Sequence, residues 1–164
     1  MTGSIGVIKV GAASEVEQRE KQHRVEDAIA AVRAAAEEGI VSGGGTAYLG
    51  CIACLDKIDY KSADEKIGVD IVKKTLEKPL WWIAKNAGYE PDEVVEKVKK
   101  AKIGQGFNAE TGEYVDMFEK NIIDPKKVSR CALENAVSVA GSFLTLEVGV
   151  TDIPDKENST IESK

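Results

Sequence analysis

Several short stretches and single residues are of types that could do chemistry. Gly43-Gly44-Gly45 stands directly before the apolar run from Thr46 to Leu55. Free N–H groups and the dipole at a helix start attract anions, so this loop is a candidate phosphate cradle. It is not a Walker A loop, because no Gly-Lys-Ser/Thr follows, and Tyr48 fills the last position of a Gly-x-Gly-x-x-Gly fingerprint. Residues 103–109, IGQGFNA, fit Gly-x-Gly-x-x-Ala on paper, but the residues after them read as a hairpin and not as a helix. A plain helix–helix joint is the rival reading of the triple glycine.

Cys51-Ile-Ala-Cys54 has redox or zinc spacing. Redox pairs sit at helix N-termini, where thiol pKa values fall; this pair lies inside an apolar helix, which favours buried packing. Zinc needs two further ligands, and only Cys131 and His23 are on offer. His23, between Lys21 and Arg24, reads as solvated surface. Asp27 lies opposite an apolar stripe, among Ala30, Ala31 and Ala34, where small side chains leave space for a ligand or a backbone. Asp124 precedes Pro125 as a helix cap, and Asn108 reads as a hairpin residue. Trp81 and Trp82 read as core and interface.

The elements that must position these residues are mostly helices. Residues 5–11 (IGVIKVG) read as a short strand. Ser14 and Glu17 form a capping box for a helix to about Glu38, stopped by Gly39, with Val25, Ala28, Ile29, Val32 and Ala36 as its apolar stripe. Thr46 to Leu55 reads as a buried helix. Ser62 and Glu65 cap a second long helix, Pro79 to Gly88 a short one, and Pro91 takes the first position of another that ends in lysines. Residues 106–114, GFNAETGEY, read as a β-hairpin turning near Thr111-Gly112. Asp124-Pro125 opens the last long helix, striped by Val128, Cys131, Ala132, Ala136, Val139 and Phe143 and interrupted by Asn135. TLEVGVTDI reads as an edge strand, and the polar DKENSTIESK as a disordered tail.

The bulk numbers bound the function. The 164 residues carry a net charge of -6, which argues against a nucleic-acid surface and mildly against anionic membranes. No apolar run is long enough to span a bilayer. The N-terminus lacks a signal-peptide pattern, and three cysteines point to a reducing, cytoplasmic setting.

Five segments together carry a family resemblance: VIKVGAASEVE, RVEDAIAAVRAAAEEGIVSGGG, GFNAETGEY, IIDPKKVSRCALENAVSVAG and VTDIP. In order and spacing the chain resembles the C-terminal third of the bacterial group I chaperonins (GroEL type). That resemblance implies a mainly α fold: the helical C-terminal half of an equatorial ATP-binding domain with a small β-hairpin (39–152). A strand and long helix of the intermediate domain (1–38) precede it, and a polar tail (153–164) follows. It implies that Gly44, Asn108, Ala109, Glu110 and Asp124 contact the nucleotide, with Asp124 on the ribose hydroxyls. It assigns Asp27 as the catalytic carboxylate that swings in and orients the attacking water. Glu110 stands where the family commonly has a small residue, so a backbone contact alone is expected of it.

The cofactor implied is ATP with Mg2+. No Gly-Asp-Gly-Thr-Thr phosphate loop and no apical domain occur among these residues, so the metal ligand is expected on other polypeptide. The chain is therefore expected to be a fragment, inactive by itself. Implied partners are other subunits of a ring homo-oligomer, a co-chaperonin and unfolded polypeptide. Two other expectations compete: a structural or self-association module, and a redox protein built on Cys51 and Cys54.

Overall fold

The computed structural model describes residues 5–152. Its elements run α1 (Glu15–Glu38), β1 (Ile40–Ser42), α2 (Thr46–Leu55), α3 (Ala63–Leu76), α4 (Lys78–Asn86), α5 (Pro91–Lys100), β2 (Gln105–Asn108), β3 (Glu113–Asp116), β4 (Ile123–Pro125) and α6 (Lys126–Leu144). The fold is mainly helical, as expected, with two small antiparallel sheets, β1–β4 and β2–β3. The contacts divide the chain into a first unit ending at Arg130 and a second beginning at Cys131, with α6 running through the division.

Local chemistry explains the helix ends. Ser14 Oγ accepts the N–H of Glu17 at 3.3 Å, and Gly39 closes α1 with φ 85°. Ser62 Oγ accepts from Glu65 N–H at 3.2 Å, while the Glu65 carboxylate reaches back to Lys61 N–H at 2.6 Å instead of to Ser62. Pro91 opens α5, with Asp92 and Glu93 in its first turn and Lys97, Lys99 and Lys100 in its last, the order the helix dipole favours. The hairpin turns at Gly112, whose φ of 75° suits glycine.

The core of the first unit joins Leu49 of α2, Leu80 and Ala84 of α4, Val94, Val95 and Val98 of α5, and Phe107 of β2. Tyr89 meets Phe107 edge-on at 5.0 Å, and Tyr114 lies 5.4 Å from it on the other strand. Trp81 packs against this core and donates its indole N–H to Asp92 at 2.9 Å, whereas Trp82 is exposed. The second unit is the remainder of α6 and residues 145–152. Backbone bonds from Thr145 and Leu146 close the helix, and Val139 and Phe143 are exposed.

Four expectations are corrected. Residues 5–11 form no strand, and neither do residues 145–152, because neither segment has a neighbouring strand to complete its backbone hydrogen bonds. Cys51 and Cys54 are exposed, and α2 buries only Thr46 and Leu49, so the pair is not packed in a core. The last helix begins at Lys126, and Asp124 and Pro125 belong to β4, so Asp124 stands one position too early to cap it. The expected tail lies outside the described residues.

Candidate functional site

The glycine loop is held by two sheets and a helix. β1 pairs with β4 so that Val41 stands opposite Asp124, and Gly43 N–H donates to Ile122 O at 2.9 Å. A Cβ on Gly43 would lie 3.0 Å from that same oxygen. Gly44 has φ +61°, and its Cβ would lie 3.2 Å from Met117 Cε and 3.8 Å from Phe107 O. Gly45 has φ +76°, and its Cβ would lie 2.7 Å from Leu80 N, a backbone atom that cannot give way. Each glycine thus has its own steric reason, and the loop is a fixed turn rather than a slack joint.

The same turn opens α2. Gly45 is its N-cap and supplies no side-chain acceptor for the first N–H groups. Such an end suits an anion. Thr46 Oγ1 is buried there without a hydrogen-bond partner.

Asn108 ends β2, next to Phe107, whose carbonyl faces Gly44. Its Oδ1 accepts Glu110 N–H at 3.0 Å and its carbonyl accepts Gly112 N–H at 2.8 Å, which fixes the side chain in an Asx turn. The Asn108 side-chain amide is left as a donor. Ala109 packs against the core, and Glu110 is exposed, tied in through its backbone.

Asp124 is half-buried; its backbone pairs with Val41, but its carboxylate accepts no hydrogen bond from the described residues. Burial pushes its carboxyl above the ordinary range, with no cation to pull it back. Carboxylates perturbed in this way concentrate at functional sites. Asp27, by contrast, is exposed on α1. Twelve residues separate it from Gly39, which at the helical rise is about 18 Å along the axis. The fold therefore brings the Gly44 turn beside Phe107-Asn108 and, through Gly43 and Ile122, next to the strand bearing Asp124; Asp27 stands apart.

Two supporting residues were not singled out from the sequence. Met117 is fully buried and wedges between the two loops: its Cε faces Gly44, and its Sδ lies 2.7 Å from where a Gly106 Cβ would be. Thr46 Oγ1 lies 2.3 Å from that same point. Only the position of Thr46, directly after three glycines, could have signalled this; Met117 carries no local signal.

The donor set can bind hydroxyl groups and an anion. It offers a carboxylate for paired hydroxyls, an amide, and an uncapped helix start. Among the described residues no group of three or more His, Cys, Asp or Glu stands close enough to hold a metal ion. The described helices include none long and apolar enough to cross a membrane. Residues 2–153 match the family model described as the TCP-1/cpn60 chaperonin family.

Proposed function

Because the chain belongs to the TCP-1/cpn60 chaperonin family, we propose that it supplies one wall of an adenine-nucleotide pocket in an ATP-driven protein-folding chaperonin. The observation that carries this reading is Asp124, a half-buried carboxylate with no donor among the described residues, on the strand beside the glycine turn. Ribose hydroxyls are donors of the kind it lacks.

In this reading Asp124 accepts the ribose hydroxyls. Asn108, Ala109 and the Glu110 backbone flank the base and sugar. Gly44 lets the chain backbone approach the phosphates, with no Cβ in the way. ATP with Mg2+ would supply the phosphoanhydride that is cleaved. Phosphoryl transfer depends chiefly on positioning and charge stabilisation. Asp27 would orient the attacking water only after α1 carries it inward, which makes hydrolysis contingent on conformation. These residues alone, without a triphosphate loop, are expected to be inactive as an ATPase. The bacterial group I type, ring assembly, a co-chaperonin, unfolded clients and a cytoplasmic setting are parts of the same proposal.

The test is an NMR titration of the chain with ADP. Amide shifts should concentrate at Gly44, Asn108, Glu110 and Asp124, and Asp124→Asn should abolish them. A flat response at millimolar nucleotide, or shifts that ignore these positions, overturns the pocket. A second reading, self-association without nucleotide, draws on Val32, Val128 and Val139, which are exposed on α1 and α6.

A further inference from the structure

The pocket leaves Cys51 and Cys54 unused. Both thiols are free and exposed, and both lie on α2. Three residues apart on a helix, their Cβ atoms are about 5–6 Å from each other on one face. A disulfide needs about 3.5–4.5 Å, so the pair cannot close on itself while α2 stays helical. The pair therefore remains a dithiol.

That spacing suits a metal better than a bond. With metal–sulfur distances of about 2.3 Å and tetrahedral angles, two thiolates on one ion lie about 3.8 Å apart. Rotation about each Cα–Cβ bond brings sulfurs on Cβ atoms at helical separation to that distance. The surroundings are open: Gly50 is one residue before Cys51 and one turn before Cys54, and a Cβ built on it would meet nothing within 4 Å. Ala47 precedes the pair by another turn on the same side. Both cysteines are exposed, so solvent reaches them.

We propose that Cys51 and Cys54 form a bidentate dithiolate site for a soft divalent cation of the zinc–cadmium class. Each thiol gives up its proton to solvent as its sulfur binds, and solvent or small exogenous ligands complete the tetrahedron. No electron transfer is involved. The site is independent of the nucleotide pocket and carries a different ligand class. Cys131 is no part of it.

Cadmium titration of the reduced full chain, followed by sulfur-to-metal charge-transfer absorption and proton release, tests this. The expected result is one ion per chain and two protons per ion. Cys51→Ser and Cys54→Ser should each weaken binding by more than about tenfold, while Cys131→Ser leaves it unchanged. Far-ultraviolet circular dichroism checks that each variant keeps its helices. The proposal falls if binding scales with the number of thiols, if Cys131→Ser matters equally, or if one ion bridges two chains.

Discussion

Asp124 is the residue at which stability and the proposed nucleotide contact pull apart. Its folded-state pKa is raised by burial, so the folded state holds the proton more tightly than the unfolded one. Stability therefore falls as pH rises through the window between the unfolded value and the raised folded one, and the penalty persists above it. Asp124→Asn should melt later than the parent at pH 7 and no later near pH 3, where both states of the parent are protonated. A thermal melt series across pH reads this directly. A gain in stability with a loss of ADP shifts is the pattern of a functional group kept at a cost to the fold. Of the glycines, Gly45→Ala should be the worse substitution: a left-handed φ and a backbone clash with Leu80 add up to roughly 3 kcal/mol or more. Gly44→Ala meets only the flexible end of Met117 and should cost about 1–2 kcal/mol. Urea unfolding of the two variants compares them.

At the scale of elements, helices carry their own evidence and isolated strands do not. α1, α3 and α5 were legible because each announces its ends: Ser14 with Gly39, Ser62 with Glu65, Pro91 with its lysines. A helix satisfies its backbone within itself, so these local signals suffice. The hairpin was legible because Gly112 marks its turn and its partner strand is adjacent in sequence. Residues 5–11 and 145–152 have strand-like composition, but pairing is a long-range property that composition cannot supply. The β1–β4 pair leaves no signal in the sequence for the same reason: its strands are three residues each and are separated by some eighty residues of chain. The resemblance alone pointed to Gly44, Asn108 and Asp124 as a candidate site, whereas the desolvation of Asp124 and the wedge of Met117 required the fold. Ser62→Ala should cost about 1 kcal/mol, because two first-turn contacts of α3 depend on that cap region. Hydrogen exchange should localise the loss to residues 63–67, and an even loss across the unit would show that the cap is not independent of the core.

For the molecule as a whole, the question is what its uncovered apolar surface does. The first unit has a real core around Leu80, which is fully buried, and Leu80→Ala should cost about 2–5 kcal/mol. α1 is different: it buries no residue, and Val16 and Val32 are 80% and 69% exposed. In the second unit, considered by itself, Phe143 is 70% exposed. Apolar faces of this extent on a chain mark surfaces that meet other polypeptide. Burial of such faces stabilises by about 25 cal/mol per Å2, against which association must set the entropy of docking. The chain should therefore sediment faster as its concentration rises, and Val32→Asp should restore the monomer without changing helix content, since Val32 contributes to no core. Sodium chloride should strengthen the association slightly, because it screens the repulsion between chains that each carry a net charge of -6. An unchanged monomer at several milligrams per millilitre would remove self-association as a function and leave the nucleotide wall as the reading to pursue. Association that survives Val32→Asp but is lost in Phe143→Ser would shift the contact from α1 to the second unit.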